Sequence, residues 1–363
     1  MLSQQTPPSH SSTKNTEVSH ALLPHFFPSG QGATSGDSDF CGLVVSLDRG
    51  YPLVRTQRGE ERAQHSIALV KNEGIRAAVG DVVELYEEPG QDMLMITAIQ
   101  TRASILARRE LVESIHDGAG KVKEQILATN FDFVVVVQSL GKRELDEDYL
   151  ERQLVVANES GAETMVLLTK TDMARHLQED YLAAKEVAPG SKVFCMSTVS
   201  KRTDPSTHSV LFPNSASLIT PDSMDELVSQ FTPDRLGVLL GRSGVGKSTI
   251  VNLLVGEKKQ VVGSVRDKDS AGRHTTVARR LVDLPGGGAV IDTPGMRALG
   301  VLGAELGLSR TFTEISSAAA ECRYRDCTHT HEPGCAVTAA VETGTISLRR
   351  LESYRSLSTE VFD

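Results

Sequence analysis

The 363-residue sequence contains no tryptophan, only five cysteines, and only 4% aromatic residues. No apolar run approaches the roughly 20 residues that a membrane-spanning helix needs. The amino terminus lacks a basic stretch followed by an apolar one, which argues against a secretory signal. Residues 1–37 hold one lysine and no arginine, which argues against an organelle transit peptide. We therefore expect a cytoplasmic protein that does not enter a membrane.

The sequence also lacks a surplus of positive charge, since its formal net charge is -9 and its pI is about 5.6. A nucleic-acid partner would therefore need a local basic patch, because the charge of the whole chain repels phosphate. Hydrophobic residues make up 39% of the chain, which is enough for a packed core. At about 150 residues per domain, the length predicts two to three domains.

Residues 1–37 are rich in Ser, Thr, Pro, His and Gly, and this composition predicts a disordered tail because it buries little apolar surface. The next segment, 38–105, carries short apolar stretches separated by turns, which predict a small all-β domain. The predicted strands are 41–47, 51–56, 65–70, 79–87 and 92–100. The length fits a five-stranded OB-like β-barrel, which often binds oligonucleotides, although a barrel without a ligand fits equally well.

Strands and helices alternate between residues 106 and 300, which predicts an α/β sheet with its ligand site at the carboxyl ends of the strands. The continuous apolar run Phe133–Val137 is typical of a strand that is buried on both faces. A helical pattern follows over 146–161. The polar segment 201–222, with three prolines, predicts an inserted loop.

Residues 241–248 read GRSGVGKS and fit the phosphate-binding loop G-x-x-x-x-G-K-[ST] between a strand and a helix. The backbone N–H groups of such a P-loop cradle phosphates. Lys247 is expected to reach the β- and γ-phosphates, and the Ser248 hydroxyl to bind Mg²⁺. The predicted nucleotide-binding residues here are Gly241, Arg242, Ser243, Gly244, Val245, Gly246, Lys247, Ser248 and Thr249.

A second Mg²⁺ ligand is predicted at Asp292, which ends a short apolar strand in the sequence DTPG. Gly295, the last residue of DTPG, has no side chain, so its N–H can approach the γ-phosphate. The polar segment between the P-loop and DTPG contains GRHTT. A threonine from such a segment usually completes the Mg²⁺ shell, and the sequence does not choose between Thr275 and Thr276.

The sequence TKTD, at residues 169–172, predicts a guanine-binding loop at a strand end. The Asp172 carboxylate can accept hydrogen bonds from N1–H and the 2-amino group of guanine, and adenine has no such donor pair. The stem of Lys170 can lie over the base. Thr169 stands where an asparagine is usual. Ser197 is the expected anchor of the next loop, whose N–H groups would meet the guanine O6.

The motifs stand in an unusual order, because the guanine loop precedes the P-loop, whereas in an ordinary GTPase it follows. All parts of a GTPase are present, so the sequence predicts a circularly permuted α/β P-loop GTPase domain. Permutation is tolerated when the original termini lie close together.

Four residues near the carboxyl terminus predict a metal site: Cys322, Cys327, His329 and Cys335. Three thiolates and one imidazole form a closed, tetrahedral, structural Zn²⁺ site. His331 could replace His329, because the spacing does not distinguish them. Reduced cysteines without a metal are the alternative. We assign residues 301–363 to a C-terminal helical zinc-binding domain.

The segment 337–357 predicts two helices with a turn at Gly344. Four arginines accompany the metal motif and these helices, and they predict either a basic surface for RNA or a solvated helix face. They are Arg323, Arg325, Arg349 and Arg350.

The motifs VGDVVEL, TKTD, GRSGVGKST, GRHTT, DTPG and CRYRDCTHTHEPGCAV together resemble one family, the circularly permuted RsgA (YjeQ) GTPases of small ribosomal subunit biogenesis. The resemblance covers about residues 38–357. It implies a barrel, a permuted GTPase domain and a zinc domain, with GTP and Mg²⁺ as ligands and one structural Zn²⁺. It further implies binding to the small ribosomal subunit and its rRNA, and GTP hydrolysis that the subunit stimulates late in its maturation.

Two other functions fit parts of the sequence. A nucleotide-gated RNA-binding scaffold would bind GTP with negligible turnover. A P-loop ATPase or kinase would prefer ATP, against which Asp172 argues. We expect the protein to be a monomer.

The first testable prediction concerns His274, in GRHTT. Many GTPases place a glutamine directly after DxxG to orient the attacking water, and here the residue is Met296. His274 is the best candidate for positioning the water beside Lys247, although contact with rRNA or solvent is an open alternative. We expect His274→Ala to keep GTP binding and to lose partner-stimulated turnover. Full stimulated turnover of the variant would remove His274 from the mechanism.

Overall fold

The computed structural model describes residues 39–48, 51–112, 121–141, 144–197, 224–256, 279–293 and 299–362. The predicted tail and the predicted insert at 201–222 lie outside these residues. Two neighbouring β-structures, a two-stranded hairpin and a C-terminal group of helices make up the described part of the chain. No helix in this part is long and apolar enough to cross a membrane.

The amino-terminal β-structure is a closed five-stranded barrel, as predicted. Its strands are β1 (Asp39–Asp48), β2 (Tyr51–Thr56), β3 (Gly59–His65), β4 (Val82–Tyr86) and β5 (Leu94–Ile99). They follow the order β1-β2-β3-β5-β4, and β4 pairs back with β1. The β3–β5 pair is parallel and the other pairs are antiparallel. Val44, Val54, Val83 and Ile96 are fully buried inside the barrel.

The predicted strand at 65–70 is wrong. The third strand is Gly59–His65, and a short helical turn follows at Leu69–Glu73, ended by Gly74 with φ 66°. The strand is mostly polar, so its hydrophobicity does not reveal it, and its pairing with β2 and β5 makes it a strand. Leu69 of the helical turn is 2% exposed and belongs to the barrel core.

The second β-structure is an α/β sheet whose parallel strands have the order β10-β9-β8-β11-β13, with β12 antiparallel at one side. The strands are β8 (Phe133–Ser139), β9 (Glu163–Thr169), β10 (Val193–Met196), β11 (Leu236–Leu240), β12 (Arg279–Asp283) and β13 (Ala289–Asp292). The helices are α1 (Glu147–Glu159), α2 (Leu177–Val187), α3 (Met224–Ser229) and α4 (Lys247–Val255). The predicted central run Phe133–Val137 is fully buried.

The barrel and the α/β sheet are joined at strand β12. Ser46 and Leu47 of β1 pair with Arg280 and Arg279 of β12. The buried guanidinium of Arg55, in β2, donates two hydrogen bonds of 2.8 Å to Asp283 at the end of β12. A hairpin of β6 (Ile105–Val112) and β7 (Lys121–Thr129) connects the barrel to β8 along the chain.

The carboxyl-terminal part is helical, as predicted. Its helices are α5 (Glu305–Thr311), α6 (Thr313–Ala319), α7 (Ala336–Glu342) and α8 (Leu348–Phe362). Gly344, with φ 76°, lies in the predicted turn between the last two. The fold class is therefore confirmed, while the domain boundaries near residues 38, 106 and 301 stay predictions.

A buried ion pair fastens this helical part to the α/β sheet. Glu151 of α1 is fully buried and accepts hydrogen bonds from Arg350 (2.6 Å) and Arg349 (2.7 Å) of α8. Ser353 also donates to the same carboxylate. Arg350 is 3% exposed and reaches Glu314 as well. The prediction that Arg350 lies on a basic surface or a solvated helix face is therefore wrong, because this arginine is buried and binds the buried carboxylate of Glu151 and the partly buried one of Glu314.

The second testable prediction follows from this pair. Glu151→Gln preserves side-chain volume and leaves the buried Arg350 with Glu314 as its remaining carboxylate. We expect the free energy of unfolding to fall by about 3 kcal/mol, because a buried charge that loses its partner is strongly destabilising. Urea denaturation of the variant measures this. The matched control is Glu87→Gln, which breaks an exposed pair with Arg58 and should cost about 1 kcal/mol or less. Equal losses in the two variants would contradict the prediction.

Candidate nucleotide and metal sites

The predicted P-loop begins where β11 ends, at the carboxyl edge of the parallel sheet. Gly241 packs tightly there, because a Cβ atom on it would lie 2.6 Å from the carbonyl oxygen of Val137. Gly246 has φ 108°, a conformation that side chains disfavour, and it caps the amino terminus of α4. The glycines of the motif therefore permit a tight turn whose N–H groups lead into a helix amino terminus, the geometry that binds phosphate.

Lys247 lies at the centre of this loop and is only 7% exposed. Its Nζ donates hydrogen bonds to the carbonyls of Gly241 (2.7 Å) and Arg242 (3.1 Å). Burial lowers the pKa of this ammonium group, and the charge of Asp292 opposes the shift. The two carbonyls thus hold the lysine inside the loop, where a phosphate would meet it.

Asp292 lies beside the P-loop because β11 and β13 are parallel neighbours. Leu239, two residues before the loop, pairs with Asp292, and the hydroxyl of Thr293 donates to the Leu239 carbonyl at 2.6 Å. Ser248, the other described candidate ligand of Mg²⁺, is the second residue of helix α4. A hydroxyl and a carboxylate are suitable oxygen ligands for this cation. The further candidates Thr275, Thr276, Gly295 and His274 lie outside the described residues.

The predicted guanine loop contacts the P-loop directly, although the two are some 75 residues apart in sequence. The hydroxyl of Thr169 donates to the carbonyl of Val245 at 2.6 Å, across 76 positions. Lys170 adopts a left-handed conformation with φ 55°, and its Nζ donates to the carbonyl of Gly244 at 2.7 Å. The hydroxyl of Thr169 therefore links the guanine loop to the P-loop by a hydrogen bond.

The two predicted base-reading segments also meet. The hydroxyl of Ser197, 1% exposed, donates to Oδ1 of Asp172 at 2.5 Å. Ser197 directly follows β10, and the TKTD sequence begins at the last residue of β9, the parallel neighbour of β10. The carboxylate that would read guanine is thus held by the loop predicted to meet the guanine O6.

The sequence did not reveal two residues that anchor the P-loop from outside. The guanidinium of Arg242 stacks on the ring of Tyr149, 3.4 Å from its centroid, and lies 3.4 Å from Asp146. Asp146 also caps α1 by accepting from the N–H of Tyr149. The side chain of Arg242 therefore contacts α1, and its predicted contact with nucleotide stays a prediction. No sequence signal could indicate these anchors, because they depend on β8 and β11 being neighbours.

The predicted metal ligands form a compact cluster. The ligand atoms of Cys322, Cys327, His329 and Cys335 all lie within 4.8 Å of one another. The sulfurs of Cys322 and Cys335 are 3.9 Å apart, and they lie 3.6 and 3.5 Å from Nδ1 of His329. A tetrahedral Zn²⁺ with Zn–S bonds of about 2.3 Å would separate two thiolates by about 3.8 Å. The cluster therefore fits this ion, and it contains His329, whereas His331 is exposed.

The surrounding structure favours the thiolate form of one ligand of the cluster, Cys335, and holds another, His329, in position. Burial opposes ionisation of Cys335, but hydrogen bonds from Thr338 and neighbouring groups outweigh it and lower its pKa to about 6. Cys335 is the amino-terminal cap of α7, a position that favours negative charge. His329 has a left-handed backbone with φ 60°, and its carbonyl accepts a hydrogen bond from Arg355 of α8. Helix α8 thus holds one ligand in place.

The third testable prediction concerns the contact between the two nucleotide loops. Thr169→Val removes the hydroxyl that donates to the Val245 carbonyl, and an unmade buried hydrogen bond costs about 1–3 kcal/mol. We expect guanine nucleotide to dissociate about tenfold faster, which a fluorescent nucleotide reports. Thr171→Val is the matched control, because its buried hydroxyl has no hydrogen-bond partner among the described residues. A wild-type rate for Thr169→Val would contradict the role of the hydroxyl.

Comparison with known proteins places these sites in a family. The family model described as RsgA GTPase matches residues 99–219 and 207–302. The small ribosomal subunit biogenesis GTPase RsgA of Streptomyces avermitilis is 38% identical over 94% of this chain and 86% of its own length. The protein named small ribosomal subunit biogenesis GTPase RsgA 2 of Lactiplantibacillus plantarum is 36% identical over 90% of this chain and 85% of its own length.

Solved structures share the fold. YjeQ from Thermotoga maritima matches with a TM-score of 0.60 at 21% identity, over 89% of this chain and 98% of that chain. YloQ, described as a circularly permuted GTPase, matches with a TM-score of 0.57 at 23% identity, over 91% and 97% of the two chains. The resemblance seen in the motifs is thereby confirmed, and the chain belongs to the RsgA GTPase family.

Proposed function

We propose that this GTPase binds the small ribosomal subunit and hydrolyses GTP during late maturation of the subunit, at a rate that the subunit stimulates. The contact between Thr169 of the guanine loop and Val245 of the P-loop carries the choice of GTP. It joins a loop with a guanine-reading carboxylate to a loop that binds phosphates, within one site. The partner is supported by the names of relatives that align over most of their length.

The residues have distinct roles in the proposed reaction. Lys247 and the P-loop N–H groups neutralise the charge that develops on the β- and γ-phosphates. Ser248 and Asp292 would hold Mg²⁺, which would supply further neutralisation of the phosphate charge. Asp172 fixes the base by accepting hydrogen bonds from N1–H and the 2-amino group of guanine. His274 is proposed to orient the attacking water, because the position after DTPG holds Met296.

The slow step is proposed to be the ordering of catalytic groups by the partner. A methionine cannot orient water by hydrogen bonding, so the intrinsic rate is expected to be low. Contact with the ribosomal subunit would place His274 beside the attacking water. The proposed partner is assembled in the cytoplasm, so we place the protein there, and we propose that it acts as a monomer.

The fourth testable prediction is the turnover experiment itself. Purified small ribosomal subunits should raise GTP turnover of the full chain and leave ATP turnover at background. In Asp172→Asn, the amide can pair with xanthine, which presents one donor and one acceptor at these positions. We therefore expect this variant to lose stimulated GTP turnover and to gain turnover of xanthosine triphosphate. Stimulation of ATP turnover would reject the guanine site. GTP binding without stimulation would favour a scaffold or another partner.

We further propose that Cys322, Cys327, His329 and Cys335 hold one structural Zn²⁺. The donor set has no fourth position free for water, so the ion would stabilise the helical region rather than take part in hydrolysis. Its support is the match between the sulfur and nitrogen separations of the cluster and a tetrahedral site.

The fifth testable prediction is a metal count. Native mass spectrometry should find one zinc ion per wild-type chain and almost none in Cys327→Ser. The variant should also unfold at a lower temperature, because metal binding contributes directly to folding. Cys41→Ser is the matched control, since Cys41 lies in the barrel outside the cluster. Full zinc content in Cys327→Ser would contradict the assignment.

A further inference from the structure

Strands β6 and β7 form a hairpin that joins no other sheet in the described part of the chain. A two-stranded hairpin on its own is at best marginally stable in water. Its order therefore depends on packing, to which the buried Leu106 and Leu127 contribute apolar contacts. Thr129 of β7 donates to the carbonyl of Val79 in the barrel, and Arg109 of β6 lies 3.9 Å from Glu159 of α1. The hairpin also contacts two segments that follow the regions containing GRHTT and DTPG, which are predicted to meet Mg²⁺ and the γ-phosphate and are called here the nucleotide-sensing regions.

The first segment, residues 299–304, follows DTPGMRA, and we name it the switch-two root. Arg109 of β6 donates from Nη1 to the carbonyl of Gly303 at 2.9 Å. Glu124 of β7 accepts from Nε of the same guanidinium at 2.8 Å and so fixes its orientation. A Cβ atom on Gly300 would lie 2.0 Å from the carbonyl oxygen of Arg109. The root and the hairpin backbone are therefore in direct contact.

The second segment begins with Arg279, which follows the region containing GRHTT, and we name this residue the switch-one root. Its Nη1 donates to the carbonyl of Ile126 in β7 at 3.2 Å. Its own carbonyl accepts from the hydroxyl of Ser46 in the barrel at 3.2 Å. Burial lowers the pKa of Arg279. The two strands of one hairpin thus hold the ends of both nucleotide-sensing regions.

We propose that this hairpin is a positioning element that links the two switch roots, with Arg109 as its main positioning residue. The proposal rests on the proposed GTP binding. A root that shifts between nucleotide states changes its contacts with the hairpin and so changes the stability of the hairpin. By reciprocity, a partner that binds the hairpin changes nucleotide affinity by the same factor.

Loss of Arg109 leaves the switch-two root attached to the rest of the protein. Arg152 of α1 donates to the carbonyl of Leu299 at 3.3 Å, and the N–H of Gly303 donates to the carbonyl of Val361 at 2.8 Å. These contacts hold the root against α1 and α8. An Arg109 variant is therefore expected to fold, and it loses the link between the root and the hairpin together with a 3.9 Å contact to Glu159 of α1.

The test is hydrogen–deuterium exchange of the full chain with GDP and with a non-hydrolysable GTP analogue. In the wild type, we expect the exchange rates of amides in β6 and β7 to differ between the two states by a factor of about five or more, the lower end of typical coupling. Equal rates in the two states would overturn the proposal. Protection of P-loop amides by either nucleotide is the internal standard, and its absence would mark a failure of nucleotide binding instead.

Matched variants test the role of Arg109. Arg109→Met keeps the aliphatic stem and removes the donors, so the ratio of hairpin exchange rates should fall to within about twofold of one. Gly300→Ala should lower the same ratio, because the added methyl group displaces the switch-two root from the hairpin. The controls are Arg58→Met, on an arginine that pairs with the exposed Glu87 and lies over the ring of Phe40 in the barrel, and Gly286→Ala, where a Cβ atom meets open space. A wild-type ratio in Arg109→Met, with P-loop protection intact, would overturn the proposal.

Discussion

The structure depends on the parallel pairing of β8 with β11. This pairing carries β9, the neighbour of β8, towards the P-loop strand, so that the two loops that follow meet at one edge of the sheet. The order of the strands along the chain does not affect this arrangement, because the same hydrogen bonds between strands form whichever strand comes first in the sequence. Thr169 and Lys170 reach P-loop carbonyls across more than 70 residues for this reason. A permuted chain can therefore assemble the same site.

Helix α1 connects the site to the rest of the molecule. Its capping residue Asp146 meets Arg242 of the P-loop, and Glu151 on its buried face meets Arg350 of α8. Near its end, Glu159 accepts from the N–H of Gly307 in α5. One helix thus contacts both the phosphate-binding loop and the helices around the metal cluster. A displacement of the P-loop would therefore move helix α1, and helix α1 would in turn move the helical region.

The sequence was informative where the chemistry depends on adjacent residues. The P-loop, TKTD and the cysteine cluster each lie within a short stretch, and the apolar strands around them set their context. It was uninformative where pairing depends on distant residues. The segment Gly59–His65 is polar, and its pairing with neighbouring strands makes it a strand. Arg350 is buried against Glu151, which lies 199 positions away in the sequence, so no local pattern indicates the burial. The choice of His329 over His331 likewise needed geometry.

The junction between β1 and β12 has a consequence for the integrity of the chain. In the order of the sheet, β12 is followed directly by the barrel strand β1, and Arg55 neutralises Asp283 at the same place. Without the barrel, β12 would be an open edge strand, a surface that invites pairing with another chain. The barrel therefore shields the GTPase sheet from edge-to-edge aggregation. A shortened chain without it would face a solubility problem independent of any contact with RNA.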